Sequence, residues 1–395
     1  MQTLNATQGS FALSRVPRAG KRPLRAWDAA DEYVLEYLAD LCELDFEIAP
    51  SVLVIGDAFG ALSCGLAALS PLVVCESAAG RQAIGENLDR NGLASAEQRS
   101  IIDGFAAEES FDIVVIKVPK STSHLIDLLH RIRPYLTSST QIVGAGMVKA
   151  VHTSTIEAFG SIIGPTSTSL AKKKARLLHS TYDPTLDPGP NPWPKVWKAH
   201  GQSLSNFGGG FSPNKLDPGT ALLLDSTRSV EELVPESLAV TGEAMDVVDL
   251  GCGNGIIGLA FSERLGQLGV EHAVRAIDDS SLALRAAEAS WEVSKPGSPV
   301  VSFHHSHRLV NVVNPAGTDL VVVNPPFHDD RVVGDETAWS MFVDAHKVLR
   351  VGGNLLVVGN RHLAYHAKLK KIFGNAHNVA SNAKFVVLQA TRPSK

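Results

Sequence analysis

Short runs of consecutive apolar residues alternate along this chain with longer segments whose apolar positions recur every three or four residues. The runs are rich in valine and isoleucine, as in "VLVI" (Val52–Ile55), "IVVI" (Ile113–Ile116) and "LVVV" (Leu320–Val323). Such runs, bounded by turn residues, predict strands covered on both faces, and the longer segments between them predict the covering helices. Strands and helices in alternation mark parallel βαβ units, so the expected fold class is α/β.

The pattern is written twice. "SVLVIGDAFGALSCGLA" (Ser51–Ala67) and "MDVVDLGCGNGIIGLA" (Met245–Ala260) both pass from an apolar strand through a glycine-containing turn into a helix of small residues. Each is followed by a second strand ("PLVVCES", "AVRAIDD"), a helix, a further strand ("FDIVVIKVPK", "TDLVVVNPPF"), another helix and a late strand ("TQIVGAGMV", "GGNLLVVGN"). Gly56 and Gly251 lie 251 − 56 = 195 residues apart, too long a period for a solenoid and right for a duplicated domain. Two tandem doubly wound, Rossmann-like domains are therefore expected, spanning 1–179 and 201–395. The proline-rich stretch 180–200, with "STYDPTLDPGPNPWPKVW", is the expected linker.

Composition narrows this picture only slightly. At 395 residues with 44% hydrophobic and 19% charged positions, the chain is ordinary globular protein in size for two cores. Its formal charge of −5 means that any nucleic acid must be held by a local basic patch. Cys42, Cys64, Cys75 and Cys252 are too scattered for a zinc clip, and no apolar stretch has membrane-spanning or signal-peptide length. We expect a cytoplasmic monomer with inert thiols, no metal and no membrane partner.

The chemistry concentrates in the second repeat. In "VVDLGCGNGIIGLA" a strand ends at Asp249-Leu250, and Gly251, Gly253 and Gly255 alternate with Cys252 and Asn254 before a helix. Glycines there permit a tight turn and close ligand approach, and the helix start presents free N–H groups. The spacing is G-x-G-x-G after an acid, unlike the G-x-G-x-x-G of dinucleotide sites, and it resembles the pattern of class I S-adenosylmethionine-dependent methyltransferases. S-adenosyl-L-methionine, which carries a sulfonium and an ammonium in place of a pyrophosphate, suits a carboxylate such as Asp249. Asp278, 278 − 251 = 27 residues beyond the first glycine, is placed to accept ribose hydroxyls.

Asn324-Pro325-Pro326-Phe327 ends the fourth strand, at the carboxyl edge where ligands bind. Proline lacks an N–H, so this turn offers acceptors: the Asn324 side-chain oxygen and the Pro325 carbonyl can converge on one amino group. Phe327 adds a face on which a planar group can stack. An amine conjugated to a ring or carbonyl is a poor nucleophile, and two acceptors on its hydrogens aim the lone pair for direct in-line methyl transfer. The motif specifies the atom type and leaves guanine, adenine and glutamine amines open.

With these residues in place, the chain resembles the tandem-domain RlmG/RsmC-type ribosomal RNA guanine-N2 methyltransferases, class I enzymes that use S-adenosylmethionine. Asn324 to His328 match that group's Asn-Pro-Pro-Phe-His, and "FSPNKLDPGTALLL" (Phe211–Leu224) matches its Phe-Ser…Leu-Asp-x-Gly segment. First-half stretches such as "AWDAADEYVLEYL", "IKVPK" and "LAKKKARLL" and the late "NRHLAYHAKLKKIFGN" follow the large-subunit branch. The resemblance implies a 2-methylguanosine product in 23S ribosomal RNA; small-subunit guanine, adenine-N6 and protein glutamine are the alternatives. "FHHSHR" (Phe303–Arg308) departs from the family pattern, and its histidines read as a surface loop.

The first repeat reads as degenerate. Asp57-Ala58-Phe59-Gly60 stands where the second has Cys252-Gly253-Asn254-Gly255, which suggests the loss of two of three glycines. Lys117-Val118-Pro119 replaces Asn324-Pro325-Pro326, exchanging an acceptor for a cation. A catalytically inactive domain that grips RNA phosphate is expected, through Lys117, Lys120, Lys172, Lys173, Lys174 and Arg176. "KLKKIFG" (Lys368–Gly374) has the pattern of a helix covering the sheet, with Lys370 and Lys371 outward.

Overall fold

The computed structural model describes residues 1–17, 24–44, 49–99, 105, 108–210, 215–226, 231–234, 243–294, 300–326 and 331–394, with side chains omitted at 42–44 and 331–335. The chain forms two compact units, Met1–Pro194 with Phe207–Gly209 and Lys195–Asn206 with Gly210–Lys395.

The first unit opens with a hairpin, β1 (Gln2–Ala6) and β2 (Gly9–Leu13), and a helix, α1 (Ala29–Leu44). There follow β3 (Val52–Ile55), α2 (Ala61–Gly65), β4 (Leu72–Val74), α3 (Ala78–Arg90), β5 (Glu97–Arg99), β6 (Ile113–Lys117), α4 (Thr122–Ile132), β7 (Gln141–Met147), α5 (Thr153–Ile162), β8 (Thr166–Thr168) and β9 (Ala175–Ser180). The sheet order is β5-β4-β3-β6-β7-β9-β8, parallel except for the antiparallel β9 and β8 pairings.

The second unit repeats the plan. A hairpin, β10 (Lys195–Ala199) and β11 (Gln202–Asn206), and α6 (Pro218–Ser226) precede β12 (Met245–Leu250), α7 (Ile256–Gln267), β13 (His272–Asp278), α8 (Ser281–Ser294) and β14 (Val301–His305). Then come β15 (Thr318–Val323), α9 (Arg331–Val348), β16 (Leu349–Asn360), α10 (Tyr365–Phe373), β17 (His377–Ser381) and β18 (Phe385–Thr391). Its order, β14-β13-β12-β15-β16-β18-β17, matches the first sheet strand for strand.

Burial on both faces explains the all-apolar runs. Val52 and Val54 enter one core cluster while Leu53 and Ile55 enter the cluster across the sheet, because successive strand residues point to opposite faces. Val247 and Val248 divide in the same way. The "KLKKIFG" segment lies in α10, with Leu369 and Phe373 buried and Lys370 and Lys371 exposed.

Two expectations are corrected. The proline-rich stretch is not a separate linker: residues up to Pro194 belong to the first unit, where Arg133 donates to the Asp183 carbonyl (3.2 Å) and Asn191 to the Asp127 carboxylate (2.8 Å). Residues Lys195–Ala199 are already a strand of the second. His304 and His305 lie in β14 at a sheet edge instead of in a loop. The hairpins were not anticipated either. Each is tied to a helix by side chains four residues apart: Asn87 of α3 and Asn91, which caps its C-terminus, accept from the Ser14 and Ala12 N–H, and Ser290 and Ser294 of α8 from the Ser205 and Ser203 N–H.

Candidate active site

Strands β13, β12 and β15 are neighbours, so the three motifs at their carboxyl ends converge on one edge of the second sheet. The β12 turn is tight: Gly251, Gly253 and Gly255 have φ of +74°, +56° and +82°, where a side chain is strained. A Cβ on Gly255 would also press on Ala287 and the Trp291 indole at about 3.2 Å, whereas one on Gly253 would meet nothing within 4 Å. The loop is thus packed from behind at Gly255 and open in front at Gly253. Asn254 braces it by donating to the Asn206 side-chain oxygen (3.1 Å).

Both acids take up defined positions around this loop. Asp249 is 1% exposed; one oxygen accepts from the Gly258 N–H (2.9 Å), while Oδ1 is buried with no hydrogen-bond partner among the described residues. Burial, with a smaller push from Asp278, raises its carboxyl to about 7. Asp278 accepts from the Gly253 N–H (3.0 Å) and the Ser280 N–H (2.8 Å), and burial raises it to about 6. A buried carboxylate oxygen without a donor, beside an open glycine ledge, fits a cationic ligand. Two further acceptors on Asp278 fit vicinal hydroxyls. These residues therefore suit S-adenosylmethionine.

Asn324 follows β15 and is held by residues that the sequence reading did not single out. Its amide nitrogen donates to Thr220 Oγ1 (2.9 Å) and to Asp217 Oδ2 (3.3 Å), at the start of α6. Asp217 also accepts from the Thr220 N–H (2.9 Å) and so caps that helix. The Asn324 amide oxygen is left buried and without a partner among the described residues. Pro325 is buried and Pro326 exposed. Phe327 lies outside the described residues. The cue was the Leu-Asp-x-Gly segment at Leu216–Gly219, whose acid stands at a helix-capping position.

The first unit offers the same frame with different side chains. The Gly56 N–H donates to the Val74 carbonyl (3.0 Å) as the Gly251 N–H does to that of Ile277 (2.8 Å), which fixes the correspondence. Gly56 and Gly60 keep φ of +83° and +92°, so only Gly253 has been replaced, by Ala58; the expected loss of two glycines is corrected to one. Val54 stands for Asp249 and Cys75 for Asp278. Asp57 enters the loop and accepts from the Gly60, Ala61 and Ser63 N–H groups and the Ser63 hydroxyl at 2.7–3.1 Å. In the first unit one carboxylate inside the loop satisfies the helix start, whereas in the second that task is divided between Asn254, which accepts from the Ile256 N–H (3.4 Å), and Asp249, which accepts from the Gly258 N–H.

Ile55 pairs with Ile116, as Leu250 pairs with Val323, so Lys117 occupies the Asn324 position. Its ammonium donates to Asp28 (2.9 Å) and Asp31 (2.6 Å) at the start of α1, the counterparts of Asp217 and Thr220. The two carboxylates outweigh desolvation and raise the Lys117 pKa. Burial pushes Asp31 up to about 6. Of the other cations, Lys172 pairs with Glu36 and Lys173 with Glu32 (2.6 Å), whereas Lys120 and Lys174 are exposed and Arg176 is half-buried. Lys117 is thus committed inside the protein, and its expected role as a phosphate contact has no geometric support. Among the described residues no helix is long and apolar enough to cross a membrane, and no group of three or more metal-ligating side chains forms.

Two family models cover nearly the whole chain, one described as the RLMG N-terminal domain over residues 1–184 and one as the methyltransferase small domain over 202–389. Curated relatives called ribosomal RNA large subunit methyltransferase G match end to end. That of Streptomyces griseus is 39% identical over 399 residues, covering 99% of this chain and 100% of the relative. That of Aeromonas hydrophila is 40% identical over 403 residues, with 99% and 100% covered. Among solved structures, the T. thermophilus 16S rRNA methyltransferase RsmC, in complex with AdoMet and guanosine, superposes with a TM-score of 0.70 at 20% identity, covering 99% of this chain and 97% of that one. The last likeness bears on fold, and it extends over both class I methyltransferase-like units. With both halves matched and the full length aligned to named relatives, the chain belongs to the ribosomal RNA large subunit methyltransferase G family.

Proposed function

We propose that the second unit transfers the methyl group of S-adenosyl-L-methionine to the exocyclic 2-amino group of a guanine in 23S ribosomal RNA. The observation that carries this reading is the Asn324 amide oxygen: a buried acceptor without a donor among the described residues, at the carboxyl edge of the sheet, beside a glycine loop and two acids. The shared name of the relatives supports the large-subunit substrate, and the solved 16S rRNA N2 methyltransferase supports the 2-amino target.

When bound, the cofactor supplies a methyl group on a positively charged sulfonium. Asp249 and Asp278 hold its cationic and ribose ends, and the Gly251–Gly255 turn lets the backbone approach it. Asn324 and the Pro325 carbonyl accept the two amine hydrogens, which turns the nitrogen lone pair out of conjugation with the ring and toward an in-line attack. A base must be unstacked to reach this edge, and stacking on Phe327 offsets that by roughly 1–3 kcal/mol. In the first unit Lys120, Lys174 and Arg176 take RNA phosphate, with Lys172 and Lys173 partly neutralised by α1.

The test uses deproteinised 23S and 16S ribosomal RNA from cells lacking the gene, incubated with purified protein and methyl-labelled cofactor. Nucleoside mass analysis should find the label as 2-methylguanosine in 23S RNA. Label in 16S RNA, or as N6-methyladenosine, overturns the assignment.

A further inference from the structure

An asparagine amide works as an acceptor only if it sits the right way round, and its two ends are nearly the same shape. Thr220 cannot decide the matter by itself, because a hydroxyl either donates or accepts. Asp217 can. Its resolved contacts are all with donors, namely the Thr220 N–H (2.9 Å), the Thr220 hydroxyl (3.4 Å) and the Asn324 amide nitrogen (3.3 Å). Turning the Asn324 amide over would set its oxygen against a carboxylate oxygen at that same distance, two acceptors with no hydrogen between them. The contact with the Thr220 hydroxyl acts in the same sense, since it directs that hydrogen toward Asp217 and leaves a Thr220 lone pair for the Asn324 N–H.

We propose that Asp217 is a positioning residue that fixes the orientation of the Asn324 amide, with Thr220 as its relay, so that Oδ1 faces the substrate amine. The inference rests on the amine-activation reading above. A second observation supports it independently. In the first unit the same two helix-start positions, Asp28 and Asp31, also present acceptors to the strand-end side chain, and there that side chain is purely a donor, Lys117. The corner is built to bind donors in both units; in the second this forces an amide to present its oxygen outward.

The decisive variant is Asp217→Ser, because serine caps a helix about as well as aspartate, while its shorter hydroxyl can donate as well as accept and so no longer dictates which end of the Asn324 amide faces it. A capping role alone predicts unchanged turnover. The positioning role predicts that kcat on deproteinised 23S ribosomal RNA falls at least about tenfold, with KM and labelled-cofactor affinity within about threefold of wild type. Thr220→Val should lose a similar factor and Thr220→Ser should recover most of it. Asn324→Ala is run in parallel. If Asn324→Ala is inactive while Asp217→Ser turns over like wild type, the positioning role is overturned and amine activation stands. If Asn324→Ala is itself fully active, the reading beneath it fails. Should Asp217→Ser not fold, the Thr220 pair decides: equal turnover of the Val and Ser variants overturns the proposal, and a gap of about tenfold in favour of Ser supports it.

Discussion

The two units share a backbone plan and differ in what their buried polar groups lack. In the second, Asp249 Oδ1 and Asn324 Oδ1 are buried acceptors without donors among the described residues. In the first, the corresponding corner is closed, with the Asp57 carboxylate filled by donors and Lys117 neutralised by Asp28 and Asp31. An unpaired buried acceptor destabilises a folded chain by about 1–3 kcal/mol, so two of them at one sheet edge are tolerated where a ligand completes them. The first unit has converted the same positions into internal contacts. A binding site and a stable corner are alternative uses of one frame.

That contrast can be broken in order of expected effect. Lys117→Met leaves Asp28 and Asp31 facing each other without a cation and should lower the stability of the first unit by about 3–5 kcal/mol; denaturant unfolding of the whole chain measures it, with cofactor affinity as the control that should not move. Next, Asn324→Ala removes an acceptor used only on the reacting amine, and kcat should fall about 10²–10³-fold while cofactor binding persists.

Asp249 gives a pH signature. Its folded pKa of about 7 lies above the ordinary 3.8, so its contribution to stability is fully present below about pH 3.8 and is lost as pH rises through 7. Cofactor binding should draw on the ionised form, weakening below pH 7 and releasing a proton in titration calorimetry at pH 6. Asp249→Asn should bind about tenfold more weakly, release fewer protons, those of Asp278 remaining, and reduce the stability decline. The smallest effect is expected at the exposed cations: Lys120→Glu with Lys174→Glu should reduce the salt dependence of RNA binding by about one to two units of slope. An unchanged slope removes these two from the RNA contact.

What could be read from the sequence was local. The glycine turn, Asp249, Asp278 and the Asn-Pro-Pro turn each announce themselves within a few residues, because turn geometry and strand ends leave short signatures. The repeat was legible because apolar runs buried on both faces have no polar alternation to obscure them. The misreadings are long-range. Lys117 looks like a free cation until the fold brings in Asp28 and Asp31, 89 and 86 residues away. Asp217 and Thr220 likewise meet Asn324 only across 107 and 104 residues. Residues 195–199 looked like linker because Pro188–Pro194 precede them, although Lys195–Ala199 pair with Gln202–Asn206 as a hairpin.

The clasp formed by Asp28, Asp31 and Lys117 also makes the first copy hard to reawaken. Restoring asparagine at 117 alone supplies N–H donors but removes the positive charge that neutralises two carboxylates, and removing Asp28 or Asp31 alone leaves a largely buried ammonium underpaired; each single step descends into a stability valley. Only a concerted exchange avoids it. The corner therefore works as a one-way ratchet: once a cation and its carboxylates have settled into it, the route back to catalysis is barred by folding before function is ever tested.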